Sequence, residues 1–231
     1  MLRRYSSFSA ALLAGACLDA SPMCVPGTLA AYEALPVTGC MVGGLTANNF
    51  VFTVLGSSGG AVPVTDTQIN VTPTFNGPGL LGLNFASTGF SVIGAGSVQY
   101  LIGYTWEASG TIQSLDDIMD PPSAILGFAK VTTNGCLSAA FVGSTCATST
   151  ATVMVFDNDG STQFTNSVSF VPVPIVGIRN IIDLQAKGGS ASFDSFTQEA
   201  MVPEPATWLS CAAALILLAA RLRRVRSRLH P

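Results

Sequence analysis

Short runs in which apolar and polar residues alternate place the strongest limit on the fold of this chain. In the stretch IRNIIDLQAK, Ile182, Leu184 and Ala186 fall on the same side as Ile178, and polar or charged residues fall on the other side. Alternation of this kind is typical of a β-strand with one buried face. Ten such runs lie between about residues 50 and 197, and no long helical pattern separates them. The sequence therefore predicts an all-β fold, an antiparallel β-sandwich of about ten strands.

The predicted strands begin and end where Gly, Asn, Asp or Pro interrupt the alternation. One segment differs: PGTLAAYEALP spaces Leu29, Tyr32 and Leu35 three residues apart behind Thr28. This spacing predicts one short N-terminal helix with Thr28 as its cap. The predicted strands are Phe50–Leu55, Gln68–Thr72, Leu80–Phe85, Val98–Trp106, Gly110–Leu115, Ile125–Thr132, Thr152–Phe156, Gln163–Val171, Ile178–Ala186 and Ala191–Thr197.

The amino terminus has the pattern of a secretory signal peptide. Two arginines precede a weakly apolar stretch, and small residues follow it. Cleavage fits a small-x-small pattern ending at Ala16, and a cut after Ala20 is the alternative. Cys17 would be the lipidated residue of a lipoprotein signal, but Ala14 stands where such signals usually carry leucine.

The carboxyl terminus contains a short apolar segment, Trp208 to Ala220, followed by five arginines. A helix rising about 1.5 Å per residue would reach about 20 Å here, whereas a bilayer core is roughly 30 Å thick. The flanks can extend the span, with Trp208 at one interface and arginines reaching toward the other. Because positive flanks stay in the cytoplasm, we expect a single transmembrane helix with the preceding domain outside the inner membrane. The arginines are Arg221, Arg223, Arg224, Arg226 and Arg228.

The two ends divide the chain into three parts. We assign residues 1–20 to the signal peptide, residues 21–200 to the exported domain and residues 201–231 to the C-terminal segment. The exported domain is the part that would carry any ligand-binding or catalytic function.

Six cysteines remain to be placed, and Cys17 and Cys211 lie in the two end segments. The other four cysteines are an even number, and in an oxidising compartment this predicts that they form disulfides. Three pairings are possible. We predict the local one, because each pair then brackets a loop with turn residues, and closing a loop of about 15 residues stabilises a fold by roughly 3 kcal/mol. A zinc site is the alternative, but it lacks Cys-x-x-Cys spacing and a nearby histidine. The predicted pairs are Cys24 with Cys40 and Cys136 with Cys146.

The composition of the exported domain excludes several classes of function. Three bases and eleven acids between residues 21 and 202 give a net charge of −8. Such a field repels phosphate backbones, so we expect no nucleic-acid binding. The single histidine, His230, lies in the C-terminal segment, so the domain lacks Ser-His and Cys-His nucleophile systems and His-based metal sites. No Gly-rich phosphate loop lies between a strand and a helix, and we expect no cofactor.

The stretch LDDIMDPP groups Asp116, Asp117 and Asp120 before two prolines. Paired carboxylates held at set separations can hydrolyse glycosides. Acids beside proline are more often part of a solvated loop, and that is the interpretation we favour here.

The stretch FDNDGST places Asp157 and Asp159 before Gly160, which suggests a calcium loop. The glutamate required at the twelfth position of such a loop is missing, because residue 168 is valine. Asp-Gly between two strand-like runs is typical of a hairpin turn. We therefore predict a turn and no metal site, and we expect that calcium does not stabilise the fold.

Aromatic residues in VQYLIGYTW offer a third candidate site. Tyr104 and Trp106 share one face of a predicted strand with Tyr100. Exposed aromatic rings can stack on sugar rings, whereas buried rings build the core. Core packing is the interpretation we favour.

The C-terminal segment resembles a known sorting signal. Pro203, Glu204 and Pro205, followed by the short apolar helix and the arginine cluster, resemble the PEP-CTERM signal of proteins exported by Gram-negative bacteria that make exopolysaccharide. The resemblance implies handling by exosortase, a membrane-embedded cysteine peptidase that removes the tail. The prolines hold the approach extended and without regular hydrogen bonds, a form that a peptidase can grip.

A second stretch resembles the start of many PEP-CTERM domains of uncharacterised function. This stretch is C-x-PGTLAAYEAL-x-x-x-GC, followed by a strand with Asn-Phe. The resemblance favours the pairing of Cys24 with Cys40 and adds no chemistry.

Three functions are compatible with these features. The first is a non-enzymatic protein of the cell surface or extracellular matrix, with a structural or adhesive role linked to exopolysaccharide or biofilm. The second is a secreted carbohydrate-binding module that uses exposed aromatic residues. The third is a glycan hydrolase that uses aspartate pairs. The expected partners are exosortase, the inner membrane before processing and exopolysaccharide.

Overall fold

A computed structural model describes residues 21–120 and 122–203 of the chain. Nearly all of this part is antiparallel β-sheet, with one short α-helix and one turn of 3₁₀-helix. The predicted all-β class and the single short helix are therefore confirmed. The predicted signal peptide and the predicted transmembrane helix lie outside the described residues, and none of the described helices is long and apolar enough to cross a membrane.

The elements follow one another as eleven strands with the helix near the start. Their bounds are β1 Gly27–Thr28, α1 Leu29–Glu33, β2 Cys40–Val42, β3 Leu45–Ser58, a 3₁₀ turn Asp66–Gln68, β4 Asn70–Phe75, β5 Leu80–Ala86, β6 Ser91–Met119, β7 Ser123–Leu137, β8 Thr150–Asn158, β9 Ser161–Gln163, β10 Thr165–Ser192 and β11 Ser195–Met201.

The short helix forms where the sequence predicts it. The hydroxyl of Thr28 accepts a hydrogen bond from the backbone N–H of Ala31 at 3.3 Å, which satisfies one of the free donors of the first turn. Leu29 and Tyr32 are buried on the same side of the helix. The helix ends at Glu33, shortly before Pro36, whose ring disfavours the helical conformation at the residue before it.

Two strands are much longer than predicted. The predicted strands Val98–Trp106 and Gly110–Leu115 belong to the single strand β6, and Gln163–Val171 and Ile178–Ala186 contribute most of β10. The chain bends inside both strands, where residues 108–111 of β6 lie opposite the single residue 174 of β10. Pro174 lies in this bulge, and Pro172 lies in the neighbouring irregularity between Ser169 and Val173, where a missing backbone N–H is tolerated. The sequence breaks at glycine and proline therefore mark a bend and not the end of a strand.

A third predicted strand, Ala191–Thr197, is divided between two elements. Strand β10 ends at Ser192, and β11 begins at Ser195. At the turn between them, Phe193 donates its backbone N–H to the carbonyl oxygen of Phe90 at 3.1 Å. The alternating pattern continues across this turn, so the sequence alone does not show it.

The bend in β6 and β10 folds the sheet into the two layers of a β-sandwich. The first layer contains β2, β3, the N-terminal part of β6, the C-terminal part of β10, and β7, β8 and β9. The second layer contains β1, β4, β5, β11, the C-terminal part of β6 and the N-terminal part of β10. Phe85 of β5 and Tyr104 of β6 meet between the layers with ring centroids 5.9 Å apart.

Aromatic rings fill the core between the layers. Phe50 stacks on Tyr104 at 5.2 Å, and Phe85 stacks on Phe196 at 5.1 Å. The predicted inward faces of IRNIIDLQAK and VQYLIGYTW are both buried, as the alternation requires. The buried side also contains Asn180, a polar residue that hydrophobic alternation does not identify.

Two disulfides tie loops to the sandwich. Cys24 pairs with Cys40 beside the helix, and Cys136 at the end of β7 pairs with Cys146 in the loop before β8. Both predicted pairs are confirmed. Because each bridge closes a short loop, it lowers the entropy of the unfolded chain locally.

Candidate functional site

The end of the folded domain lies directly beside the predicted sorting motif. Strand β11 ends at Met201, and the backbone N–H of Val202 donates to the carbonyl oxygen of Gly79 at 2.8 Å. Val202 is buried, whereas Pro203 is exposed. The other predicted sorting and membrane residues lie outside the described part of the chain: Glu204, Pro205, Trp208, Arg221, Arg223, Arg224, Arg226 and Arg228.

Tyr104 and Trp106 cannot form an exposed platform for a sugar. Both side chains lie between the layers, and Trp106 has no exposed surface. The Tyr104 hydroxyl and the Trp106 indole N–H both donate to Oε1 of Gln198, the latter at 2.8 Å. Core packing is therefore confirmed, and the sugar-stacking hypothesis is wrong for this pair of residues.

The acids of LDDIMDPP lie at the end of a strand, because β6 continues to Met119, and the prediction of a solvated loop is wrong for Asp116 and Asp117. Neighbouring residues of a strand point to opposite faces, so these two carboxylates do not face one substrate. Asp120 is separate from both, and it accepts a hydrogen bond from the Ser195 hydroxyl. The arrangement does not provide the pair of facing carboxylates that the hydrolase hypothesis needs.

Asp117 lies inside the sandwich. Its side chain has no exposed surface, and neither carboxylate oxygen has a hydrogen-bond partner among the described residues. The pKa of Asp117 is raised to about 8, mainly because the carboxyl is buried and to a smaller extent because of the nearby charge of Asp116. The carboxyl group is therefore predominantly protonated at neutral pH.

Asp116 faces a carboxylate that the sequence places far away along the chain. It lies directly opposite Glu199 of β11 in the antiparallel register. Glu199 is fully buried, and its Oε1 accepts a hydrogen bond from the Asn76 side chain. Its Oε2 and the Thr74 hydroxyl lack partners within the described chain. Burial raises the pKa of Glu199, and Asp116 adds to that effect. We name this group, Thr74, Asn76, Asp116 and Glu199, the acidic pair site.

The Asp157–Asp159 stretch forms a hairpin turn, as predicted. Asn158 of β8 pairs with Ser161 of β9, and Gly160 adopts a positive φ of 101° at the turn. Oδ2 of Asp157 accepts a hydrogen bond from the backbone N–H of Ala124 at 3.1 Å. Across residues 21–120 and 122–203, no group of three or more acidic, His or Cys side chains could hold a metal ion.

A cleft on the outer face of the first layer was not identified by sequence reasoning. It has a volume of about 450 Å³, which is within the usual range for a small-molecule site. Strands β3, β6 and β10 form its base, and the loop between β7 and β8 forms one wall. We call it the Arg179 cleft. Its main side chains are Asn49, Val51, Thr53, Thr105, Phe141 and Arg179.

Two glycines allow the cleft to form. A Cβ atom at Gly103 would lie 2.8 Å from Cγ2 of Val51, so a side chain there would collide with the opposite wall. A Cβ atom at Gly177 would lie 2.8 Å from the backbone nitrogen of Phe141, so only glycine lets the wall approach the strand. The two glycines keep the floor of the cleft at the level of the backbone.

The loop that carries Phe141 is fixed at several points. The Cys136–Cys146 disulfide closes it, and the backbone N–H of Gly177 donates to the carbonyl oxygen of Ala139 at 2.9 Å. The Arg179 guanidinium lies 5.4 Å from the centre of the Phe141 ring, and its Nη1 donates to the carbonyl oxygen of Ser144 at 3.1 Å. These contacts hold the aromatic ring and the cation together at the wall of the cleft.

The opposite rim contains a residue with an uncommon backbone conformation. Asn49 has a positive φ of 56°, which is uncommon for a residue other than glycine. It lies in an irregular part of β3, where the register against β6 shifts between Asn48 and Val51. The side chain of Asn49 donates to Oδ1 of Asn48 at 2.9 Å.

All three bases of the exported domain lie on the same outer face. Arg179 and Lys187 point outward from β10, and Lys130 of β7 lies opposite Asp183 of the same face. Lys130 forms a 3.4 Å ion pair with Asp183, while Lys187 is exposed. The three bases of a domain with an overall charge of −8 therefore share one outer face, on which Asp183 neutralises Lys130.

The comparisons with known proteins do not identify a family. No family model matches the sequence, and no curated protein matches it. A solved structure of TmCBM61 in complex with β-1,4-galactotriose aligns with a TM-score of 0.32 and 10% sequence identity. The alignment covers 64% of this chain and 86% of that chain. Similarity at this level supports no conclusion about the fold or the ligand of this chain.

Proposed function

We propose that this chain is an exported bacterial protein of the cell surface or extracellular matrix, sorted by exosortase and structural or adhesive in its role. One observation supports the proposal: within the described residues, the backbone hydrogen bond from Val202 to Gly79 is followed at once by the exposed Pro203 of the Pro-Glu-Pro motif. A recognition motif placed there is accessible to a peptidase while the domain stays folded.

The two disulfides agree with this proposal. Disulfides form and persist outside the cytoplasm, which is where a signal peptide would deliver the domain. The apolar helix and the arginine cluster would hold the exported chain in the inner membrane until the tail is removed. In this scheme exosortase and the inner membrane are transient partners, and exopolysaccharide is the partner at the final location.

We propose a non-catalytic role for the domain. Asp116 and Asp117 point to opposite faces of one strand, and the acidic pair site buries Glu199. A hydrolase needs an acid and a second carboxylate on either side of an accessible bond, and these acids do not provide that arrangement.

The test of sorting uses one epitope in the exported domain and a second epitope after Arg228. In cells that contain exosortase, the wild-type chain is expected to lose the second epitope, and in cells without exosortase it is expected to keep it. Replacing Pro203, Glu204 and Pro205 with alanines should leave the full-length chain in the inner membrane, because insertion depends on hydrophobicity and charge. A simple tail anchor predicts no difference among the three cases on an immunoblot.

A second candidate function is that of a secreted carbohydrate-binding module. The observation that favours it is the Arg179 cleft, in which the ring of Phe141 lies among the hydroxyl and amide groups of Thr53, Thr105 and Asn49. Sugars are bound by aromatic rings that contact their apolar faces and by polar groups that meet their hydroxyls. A glycan pull-down with the wild-type chain and with Phe141→Ala tests this function, and capture that is unchanged in the variant argues against the cleft.

A further inference from the structure

We infer that the Arg179 cleft binds a sugar that carries a carboxylate, with the Arg179 guanidinium as the partner of that carboxylate. This inference rests on the carbohydrate-binding candidate above, and it adds the chemical class of the ligand. It rests on three features of the cleft: the uncommitted donors of Arg179, the neighbouring aromatic ring and the distribution of charge over the domain.

The guanidinium of Arg179 retains hydrogen-bonding capacity. Its Nη1 donates to the carbonyl oxygen of Ser144, and its Nη2 makes no hydrogen bond to a described residue. Nε also lacks a partner among the described residues, but it is buried, so the terminal nitrogens are the donors that a ligand in the cleft can reach. Among residues 21–120 and 122–203, the one ion pair joins Lys130 and Asp183. No described carboxylate therefore neutralises Arg179. An arginine with free donors presents a planar fork that matches a carboxylate.

The cleft around the Arg179 guanidinium is lined by both apolar and polar side chains. The Phe141 ring lies against the guanidinium, and Val51 forms the facing wall. Thr53 and Asn49 supply an exposed hydroxyl and an exposed amide along the same opening. A sugar ring has both an apolar face and hydroxyl groups, so this combination fits a saccharide better than a simple inorganic anion.

The charge distribution favours a ligand with locally placed carboxylates. The domain as a whole carries a charge of −8, which opposes a dense polyanion such as a nucleic acid. The outer face of the first layer carries Lys130, Arg179 and Lys187, so it is the part of the surface that can attract an anionic ligand. A uronic acid places one carboxylate on each sugar ring and satisfies both conditions.

The experiment measures binding of the detergent-solubilised full-length chain to two matched trisaccharides by calorimetry. One is trigalacturonate, and the other is the same trisaccharide with its carboxylates reduced to hydroxymethyl groups. We expect the acidic trisaccharide to bind more tightly, and this preference to decrease as salt is added. Arg179→Gln should weaken binding of the acidic trisaccharide by about tenfold or more and should change binding of the neutral one by less than about twofold.

Lys187→Gln is the matched control, because it removes the same charge from the same face of β10. It should weaken binding by less than about twofold, since Lys187 does not line the cleft. Arg179→Lys provides a second variant that keeps the charge but loses the planar fork, and it should fall between the wild type and Arg179→Gln. Circular dichroism of each variant checks that it folds, and Arg179→Lys carries the test if Arg179→Gln does not fold.

The outcomes separate this inference from the function on which it rests. Equal binding of the two trisaccharides would leave the carbohydrate-binding candidate standing and overturn the carboxylate assignment. Binding of neither trisaccharide would overturn both. An equal loss in Arg179→Gln and Lys187→Gln, or equally tight binding of a single-stranded DNA oligonucleotide, would show general electrostatic attraction and would also overturn the assignment.

Discussion

The outer faces of the two layers differ in whether their charged side chains are exposed or buried. The first layer carries Lys130, Arg179 and Lys187 on its outer face, and Arg179 borders an open cleft without a carboxylate partner among the described residues. The second layer buries Glu199 opposite Asp116, and burial raises the pKa of Glu199. The same strands, β6 and β10, contribute to both faces because each bends from one layer into the other. Net charge is therefore a poor guide to the local field of this domain.

The two faces also differ in what their unpartnered groups imply. On the second layer, the free oxygens of Glu199 and Thr74 are buried, so they lower the stability of the fold unless a proton is shared between them. On the first layer, Nε of Arg179 is buried without a partner as well, but the Arg179 side chain borders a cleft that a ligand can enter. The following predictions test this contrast, beginning with the largest expected effect.

The largest effect is expected at Asp117, whose carboxyl is buried inside the sandwich. The folded-state pKa is about 8, whereas the unfolded value is near 3.8, so the folded chain binds more protons between these values. The free energy of unfolding is therefore highest below the unfolded pKa and falls as the pH rises toward 8, because the buried carboxyl is costly to ionise. Asp117→Asn should raise the free energy of unfolding at pH 8 by on the order of 2 to 5 kcal/mol relative to the wild type.

Urea denaturation at pH 5 and at pH 8 measures this difference. The wild type should be clearly less stable at pH 8, and Asp117→Asn should remove most of that loss. Asp159→Asn is the control, since it changes an exposed carboxylate in the hairpin turn, away from Asp117. A pH dependence that survives in Asp117→Asn would mean that the buried carboxyl is not its source.

The next effect concerns the disulfide that supports the cationic face. Replacing Cys136 and Cys146 with serines should lower the free energy of unfolding by about 3 kcal/mol, because the unfolded chain regains the freedom of a closed loop. The same change should weaken ligand binding in the Arg179 cleft, since the loop holds Phe141. Replacing Cys24 and Cys40 is the matched control: the stability loss should be similar, and binding measured below the unfolding transition should be preserved.

A smaller effect is expected at the acidic pair site. Glu199→Gln replaces a carboxyl that is costly to ionise with an amide that can donate to the Thr74 hydroxyl and still accept from Asn76. We expect a gain of up to about 1 kcal/mol in the free energy of unfolding at pH 7. The raised pKa of Glu199 means that this gain grows as the pH rises above the unfolded value and disappears below it. Thermal unfolding at pH 4 and pH 7 tests this, and a loss at both values would contradict it.

The smallest effect is expected at the ion pair of the cationic face. Lys130 and Asp183 are both partly exposed, so Lys130→Gln should change the free energy of unfolding by less than about 1 kcal/mol. Chemical denaturation in low and high salt measures the change. A loss well above that size would show that this ion pair contributes substantially to the stability of the fold.

Much of the core was predictable because period-two alternation depends only on which residues are apolar. The inward faces of β6 and β10 follow from the sequence in this way, as does the short helix behind Thr28. The two disulfides follow from cysteine number and loop spacing. Asn180 and Gln198 were missed, because a buried polar residue interrupts the pattern and is recognised only through its partners.

The sequence by itself determined the all-β class, the short helix, the buried faces of β6 and β10 and the local pairing of the cysteines, because all of these depend on local composition and spacing. Tertiary structure decided which residues meet. Glu199 lies opposite Asp116 only because β11 pairs with the bent end of β6. Arg179 reaches Phe141 only because a disulfide-closed loop folds over β10. Pairing between strands that are distant in the chain is set by the whole sheet, so no local pattern can specify either site.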